Sequence, residues 1–249
     1  DRDAMFGVVD MWLDDFDAYN PDAQAADFFA AVDTATGPSQ TITQDLPRRF
    51  RMWVESLKVP DLSFRPLIDV ITNSKTLNFN YTEFIEDLYG VNKKNICYIH
   101  GCRRKVKYQQ KEKLILGHVP GAGGNDSVGD YRLPKHISGY KRYMMEAAVE
   151  TAARNLSWYD DETTKCSKDI IKSHQEFFDE LSNVSQIIVI GHSLSPVDWD
   201  YFKEIISVNQ KKQDVEWYFS CHSPRNIESI KVFSRAMGIE AEQITLFIT

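Results

Sequence analysis

The sequence lacks the features that mark several large classes of protein. It has no apolar run near the roughly 20 residues that a membrane-spanning helix requires. No basic segment is followed by an apolar stretch, so we expect no secretory signal. The formal net charge is −7, whereas surfaces that bind nucleic acid carry clustered cations. We therefore expect a cytoplasmic protein that has neither a membrane nor a nucleic acid as its partner.

Cysteine is scarce, and its spacing does not suggest a shared role. The four cysteines are Cys97, Cys102, Cys166 and Cys221, and no Cys-x-x-Cys pair occurs. This spacing argues against structural zinc, and the absence of a secretory signal argues against disulfides. We expect reduced thiols. Cys97 and Cys221 lie in apolar runs typical of strands, where packing in the core explains them.

The C-terminal part of the chain alternates strand and helix patterns. The predicted strands are 186–190, 215–221 and 244–248, and the predicted helices between them are 196–207 and 224–237. This alternation is typical of βαβ units and a parallel sheet. A helical stripe over 167–181 precedes them. It includes His174, which we expect to lie on or beside the stripe and not to bind a ligand.

The rest of the chain is mostly helical in pattern. Helices are predicted at 5–16, 23–32 and 46–57, interrupted by prolines that include Pro47, and 130–166 is mostly helical. Strands are predicted at 95–99 and 113–117, with a basic hairpin between them. We expect 1–64 to be a mainly helical segment of the same domain. The remaining residues, 65–249, are then an α/β domain with a helical insertion at about 130–182.

Three predicted strands end in small or polar residues, within 77–82, 96–101 and 187–193. An open α/β sheet binds its ligand outside the carboxyl ends of its strands. We therefore expect these three strand ends to form one site. His100 ends one strand and precedes Gly101, which allows close approach of a ligand to the backbone. An imidazole in this position suits a general base.

Asn78 and Asn80 alternate along the first of these strands, which predicts that both amides point to one face. Two such amides can bind ribose hydroxyls or a carboxamide. The alternative is a pair of turn-forming asparagines at the strand end. Both interpretations remain open on the sequence alone.

Residues 191–195 (Gly-His-Ser-Leu-Ser) nearly match the nucleophile elbow G-x-S-x-G. Ser195 replaces the last glycine, and His222 is the sole later histidine, which argues against a serine-hydrolase triad. Ser195 instead resembles an N-cap, with proline at N1 and Asp198 at N3. That local role leaves Gly191 and Ser193 as the residues expected to contact an anionic or ribose group.

A metal site is the remaining chemical alternative. His100, His118 and His192 could in principle join Asp198 or Asp200 around a cation. No two of them have the i, i+4 spacing that makes such a site readable in a sequence. We expect no metal.

Four segments together resemble the bacterial abortive-infection AbiH family: 78–82, 99–101, 116–118 and 191–202. That family looks like a distant relative of the sirtuin-type domains of anti-phage defence. The resemblance implies a Rossmann-like, sirtuin-type α/β fold: a mostly parallel sheet flanked by helices, with additional helical segments. It also implies NAD as the ligand or substrate.

The resemblance also implies roles for individual residues. Asn80 is similar to the asparagine that contacts the nicotinamide ribose, and His100 to the general base of the His-Gly motif. Gly191 and Ser193 are similar to the residues that hold the adenine-side ribose and phosphates. We thus expect His100 and Asn80 to be catalytic. The residues expected to contact the nucleotide are Asn78, Tyr81, Gly101, His118, Gly191, His192, Ser193 and Asp198.

The chain departs from the family pattern at two places. Thr82 stands where the sirtuin strand ends in aspartate, which removes one carboxylate from the site. The glycine-rich turn that cradles the pyrophosphate in the family is absent from this sequence. AbiH-like proteins carry such a segment near their N-terminus, so we expect the chain to be truncated upstream of Asp1.

Three functions follow from these expectations. The first is an abortive-infection effector that hydrolyses NAD or a related nucleotide. The second is a non-catalytic module that senses a nucleotide or forms homo-oligomers, favoured by Thr82; a phage-derived trigger is a further expected partner. The third is a nuclease, against which the absence of an R-x4–6-H motif and the net charge argue.

Overall fold

The structure is a computed structural model that describes residues 11, 24–59, 61, 68–104, 114–117, 139–211 and 214–248. The chain divides into two compact units, one of Asp1–Met52 with Leu116–Thr164 and one of Trp53–Ile115 with Lys165–Thr249. The domain boundaries expected from the sequence stay a prediction.

Helices and short strands follow one another along the chain. In order they are α1 (Ala25–Ser56), α2 (Ile68–Thr72), β1 (Thr76–Asn78), α3 (Phe84–Tyr89), β2 (Ile96–Tyr98), α4 (Gly139–Thr163), α5 (Ser167–Ser173), α6 (Gln175–Asp179), β3 (Gln186–Val189), α7 (Trp199–Val208), β4 (Glu216–Ser220), α8 (Pro224–Met237) and β5 (Ile244–Phe247). Short 3-10 turns cover Lys93–Asn95, Pro196–Asp198 and Ala241–Gln243. No described helix has both the length and the apolarity to cross a bilayer.

All strand pairs in the described residues are parallel, which confirms an α/β fold. β1 pairs with β2, and β3, β4 and β5 form a second sheet in chain order. Helices α7 and α8 connect the strands of the second sheet, because parallel neighbours need a crossover. The sheet expected from the C-terminal pattern is therefore present. Its strands are one or two residues shorter than predicted.

Two hydrophobic clusters hold the second unit together. One is centred on Trp217, Phe219 and Phe233, which stack or meet edge to face at centroid distances of 5.9–6.2 Å. The other gathers residues from β2, α5, α6 and α7, including Phe178 and Tyr201. Phe79 and Ile187 pack against both clusters. The end of β1 and the start of β3 are therefore joined by packing, although their strands do not pair.

Helix α8 shows why the C-terminal pattern was readable from the sequence. The backbone of Ser223 is extended, its hydroxyl accepts from the backbone N–H of Asn226, and Pro224 occupies the first turn. Gly238 ends the helix at φ +67°, a left-handed conformation that favours glycine. Local signals at both ends thus fix the helix to the predicted range, 224–237.

The predicted break between the helices at 23–32 and 46–57 is wrong. α1 is continuous and contains Pro38 and Pro47. An interior proline costs about 3 kcal/mol relative to alanine, yet Val32 and Val54 are buried on either side of the pair. Tertiary packing thus overrides the local preference. Of the helix predicted at 5–16, the structure describes Met11 alone.

Three other local predictions need correction. The strand expected over 77–82 ends at Asn78, and the described part of the strand expected at 113–117 joins no ladder, although the Ile115 N–H donates to the His100 carbonyl. The helix expected over 167–181 is two helices, α5 and α6, because His174 leaves the helical conformation between them. The apolar periodicity of the sequence continues across His174 because apolar side chains of both helices pack in the same hydrophobic cluster.

The aromatic cluster of the second sheet gives a direct test of packing. Phe233 is fully buried, whereas its neighbour Val232 is 47% exposed. We expect Phe233→Ala to lower the free energy of unfolding by about 3–5 kcal/mol, because it removes a buried ring and leaves a cavity. Val232→Ala, the control on the same helix, should cost less than about 1 kcal/mol. Urea unfolding of both variants measures this, and equal losses would contradict the packing described.

Candidate functional site

A buried carboxylate, that of Asp198, lies at the centre of the second unit's polar contacts. The ammonium of Lys165 lies 2.5 Å from its Oδ1 and the His192 Nε2 lies 3.3 Å from its Oδ2. The His100 Nε2 is 3.6 Å from Oδ1. We call these four residues the Asp198 cluster. Its members come from three segments of the chain: the end of β2, the residues before α5 and the loop after β3.

Charge within the cluster is internally balanced. Burial by itself would raise the pKa of Asp198, but hydrogen bonds from His192 and Lys165 outweigh burial and hold the pKa at about 2. Burial lowers the pKa of Lys165, and its bond to Asp198 opposes this. The ammonium also lies 5.0 Å from the centroid of the Tyr201 ring. A single buried ion pair is therefore compensated by hydrogen bonds and an aromatic face.

The tautomer of His192 follows from its neighbours. The backbone N–H of Leu194 donates to His192 Nδ1 at 2.9 Å, so the neutral ring carries its proton on Nε2, which faces Asp198. Leu194 has φ +55°, which is strained for a branched side chain. The indole N–H of Trp199 donates to its carbonyl at 2.9 Å. Both backbone groups of the strained residue thus serve to orient the loop.

His100 is held in the neutral form. Burial, followed by the nearby charge of Lys165, lowers its pKa to about 4, while Asp198 and a hydrogen bond to the backbone of Phe79 oppose this. Its Nε2 is buried and has no hydrogen-bond partner among the described residues. The bond to Phe79 therefore comes from Nδ1, and Nε2 presents a lone pair. At neutral pH its approach to Asp198 is not an ion pair.

Aromatic rings surround these histidines. Phe79 lies between them, with centroid distances of 5.5 Å to His100 and 4.3 Å to His192. Tyr201 is 5.7 Å from His100, and its buried hydroxyl has no partner among the described residues. The Tyr81 hydroxyl donates to the Ile115 carbonyl at 2.7 Å. Burial, and secondarily Asp198, raises the pKa of Tyr81 to about 12.

Among the predicted site residues, the structure brings His100, His192 and Asp198 together. The capping role expected of Asp198 is not observed. The Ser195 side chain makes no capping hydrogen bond, and the carboxylate of Asp198 faces Lys165. The proposed N-cap is therefore wrong for the Ser195 hydroxyl. The backbone alone follows that pattern, since Asp198 N–H donates to the Ser195 carbonyl at 3.0 Å.

The two asparagines do not share a face of one strand. β1 ends at Asn78, whose side-chain Oδ1 accepts from the Asn80 N–H at 2.9 Å. Asn78 is buried and Asn80 is exposed in a bend. The alternative held open by the sequence, a turn at the strand end, is what Asn78 forms. A contact of either amide with a ligand stays a prediction.

The remaining predicted residues lie at or near strand ends. Gly191 has φ +63°, and its N–H donates to the Ser220 hydroxyl at 2.9 Å, which joins the ends of β3 and β4. Ser193 is exposed, and Gly101 has φ +83°. His118 lies outside the described residues. The nucleotide contacts expected of these residues stay predictions.

Sequence reasoning missed Lys165, Phe79 and Tyr201. Phe79 was inside a recognised motif, and Tyr201 follows Asp200 in another, so their positions were visible without their roles. Lys165 carried no signal, because it pairs with a carboxylate 33 positions away. Within the described residues, no three or more His, Cys, Asp and Glu side chains are placed to hold a metal ion.

The lowered pKa of His100 predicts a pH dependence of stability. The unfolded chain binds a proton at His100 near pH 6.5, whereas the folded chain does so near pH 4. Stability should therefore fall between these values as the pH falls, by about 3 kcal/mol from this residue. His100→Gln should remove that loss, while loss through Asp198 follows separately between pH 3.8 and about 2. Urea unfolding at pH 7, 5.5 and 4 measures it, and parallel profiles for both proteins would refute the buried neutral imidazole.

The ion pair of Lys165 and Asp198 predicts a non-additive mutant cycle. Lys165→Met and Asp198→Asn each leave one partner buried and uncompensated, and each should cost about 3–5 kcal/mol. The double variant should be more stable than either single variant, because no buried charge remains. Urea unfolding of the four proteins gives the coupling free energy. Additive losses would show that the two side chains do not interact as described.

Comparison with known proteins identifies the family of the chain. The sequence model described as "Bacteriophage abortive infection AbiH" matches residues 9–221, which include all four members of the Asp198 cluster. No curated protein and no solved structure matches the chain. Because the match covers most of the sequence, the chain belongs to the AbiH family of bacteriophage abortive infection.

Proposed function

We propose that this protein acts in abortive infection by binding NAD, or a related nucleotide, and hydrolysing the bond between nicotinamide and ribose. The Asp198 cluster is the proposed site. The observation that carries the proposal is the buried His100 Nε2, which has a lone pair and no partner among the described residues. Buried polar atoms are rarely left unpaired without a functional reason.

His100 supplies the proton acceptor in this proposal. Hydrolysis breaks the bond between the ribose C1′ and the nicotinamide nitrogen, and the electron pair leaves with neutral nicotinamide. The oxygen of water bonds to C1′, and the proton that it releases goes to His100 Nε2. The Phe79 carbonyl holds the ring with Nε2 as the acceptor, and the lowered pKa keeps this atom unprotonated at neutral pH.

The other residues of the site have supporting roles. Asp198 acts through Lys165 and His192 rather than on the substrate, because its oxygens are occupied by their donors. Exposed Asn80 would contact the ribose. Gly191 and Ser193, at the end of β3, would contact the rest of the nucleotide. These contacts agree with the position of ligands at the carboxyl ends of parallel strands.

A second candidate is a module that binds the nucleotide without turnover. Burial favours it, because His100 is 6% exposed and Asp198 is 8% exposed, so the cluster resembles a structural network. The replacement of the strand-end aspartate by Thr82, itself buried, points the same way. The two candidates differ in one observable, the release of nicotinamide from bound NAD.

The first test is nicotinamide release by the purified protein. We expect the wild type to convert NAD to ADP-ribose and nicotinamide, and His100→Gln to lose at least about 100-fold in rate, because a positioned general base contributes about 10²–10⁴-fold. Chromatography of the products measures both. His222→Gln is the matched control, since His222 is exposed and outside the cluster, and it should retain the wild-type rate.

The same variants in bacteria separate the two candidates. Depletion of NAD after expression or phage infection, lost in His100→Gln, supports the hydrolase. Binding of NAD by calorimetry with no nicotinamide release replaces it with the binding module. Growth arrest with unchanged NAD and no binding of NAD refutes both candidates.

A further inference from the structure

A cleft of about 770 Å³ lies beside β2 in the second unit. Its wall includes all three residues of the strand, Ile96–Tyr98, and the junction of α5 and α6. The basic residues that line it are Lys93, Lys94, Arg104, Lys172 and His174. None of its lining residues belongs to the Asp198 cluster. Its volume is in the range of small-molecule sites, about 300–1,000 Å³.

The acidic groups around this cleft are largely neutralised. Glu86 accepts from the Tyr98 hydroxyl at 2.7 Å and pairs with Arg104 at 2.6 Å. Glu180, which lines the cleft, pairs with Lys75. Glu176 is the remaining lining acid. Two negative charges are thus matched by cations before any ligand is considered.

Three lysines of the cleft are left over from this pairing. Lys93, Lys94 and Lys172 have no anionic partner among the described residues, and all three are exposed. Against the single acid Glu176, they leave an excess of positive charge in a chain whose net charge is −7. A local excess of cations in a concave surface attracts anions.

The cleft also offers groups that suit a nucleoside. Phe177 and Ile96 line it and supply an aromatic ring and an apolar side chain for a base. The His174 Nδ1 lies 2.9 Å from the Ile170 carbonyl, which can only accept, so Nδ1 carries the proton. In the tautomer with the proton on Nδ1, Nε2 is an acceptor that has no partner among the described residues and suits a ribose hydroxyl.

The lysines stand on fixed elements. Lys93 and Lys94 belong to the 3-10 turn Lys93–Asn95, which begins with the Asn92 side chain accepting from the Lys94 N–H at 3.0 Å. Lys172 lies in the last turn of α5, which is capped by His174. The backbone positions of these lysines relative to the cleft are therefore set by the fold before a ligand binds.

From these contacts we infer that the cleft binds a nucleoside phosphate. Lys93, Lys94 and Lys172 bind the phosphates, and Phe177 and His174 contact the base and the ribose. This second site goes beyond the proposed function, since it shares no residue with the Asp198 cluster and requires no reaction there. The interruption between α5 and α6 then contributes to the site, because it places His174 in the wall of the cleft.

Binding of ATP by the purified protein tests the inference. We expect the triple variant Lys93→Gln/Lys94→Gln/Lys172→Gln to bind ATP at least about tenfold more weakly in calorimetry at low salt, where exposed charges are least screened. The matched control is Lys203→Gln/Lys211→Gln/Lys231→Gln, which removes the same charge from lysines outside the cleft. It should bind as the wild type does.

Two further comparisons identify the ligand and the site. Phe177→Ala should weaken the binding of ATP more than the binding of inorganic tripolyphosphate, because the polyphosphate lacks a base. His100→Gln should leave ATP binding unchanged, whatever it does to NAD, which separates the two sites. The inference is overturned if the wild type does not bind ATP, or if the two triple lysine variants bind ATP with equal affinity. It is also overturned if His100→Gln loses ATP binding, or if Phe177→Ala weakens the binding of both probes equally.

Discussion

The carboxylate of Asp198 is the point on which the polar part of the second unit depends. A charge in this position has lost most of its water and is stable only if donors replace that water. Lys165 and His192 supply these donors from segments that lie before α5 and after β3. The loop between His192 and Asp198 is therefore fixed at both ends. Within it, Leu194 tolerates φ +55° because neighbouring residues bind both its N–H and its carbonyl.

The chemistry of His100 follows from the same ion pair. Because Asp198 already has two donors, it does not need His100 to become charged, and burial together with Lys165 keeps the imidazole neutral. The Phe79 carbonyl determines which nitrogen carries the proton. The result is a preorganised acceptor within aromatic walls, and it distinguishes His100 from the histidine of a serine-hydrolase triad, whose N–H donates to the carboxylate. Here the His100 nitrogen nearer to Asp198 is the one without a proton.

Much of the C-terminal fold could be predicted because its signals are local. α8 begins at the Ser223 cap and ends at Gly238, and β3 to β5 are apolar runs between turns. The site was predictable to the extent that strand ends are readable: His100, His192 and Asp198 converge. The alternation predicted for Asn78 and Asn80 is wrong, because alternation holds only while a strand continues. The Asn78 side chain accepts from the Asn80 N–H at the point where β1 ends. Lys165 could not be found, since its partner is fixed by tertiary packing alone.

The two proposed sites differ in how their charges are compensated, and this difference favours a different chemistry at each. In the Asp198 cluster the ammonium of Lys165 is neutralised by a carboxylate 2.5 Å away, so the cluster has little net charge with which to attract an anion. Its distinctive atom is an acceptor, which suits proton transfer at an uncharged part of a ligand such as a ribose or water. In the cleft beside β2, the acids Glu86 and Glu180 are paired, and three lysines retain their charge towards solvent. We therefore expect the cleft to attract phosphate and the Asp198 cluster to accept a proton. β2 contributes to both, since its residues line the cleft and the chain after its end carries His100.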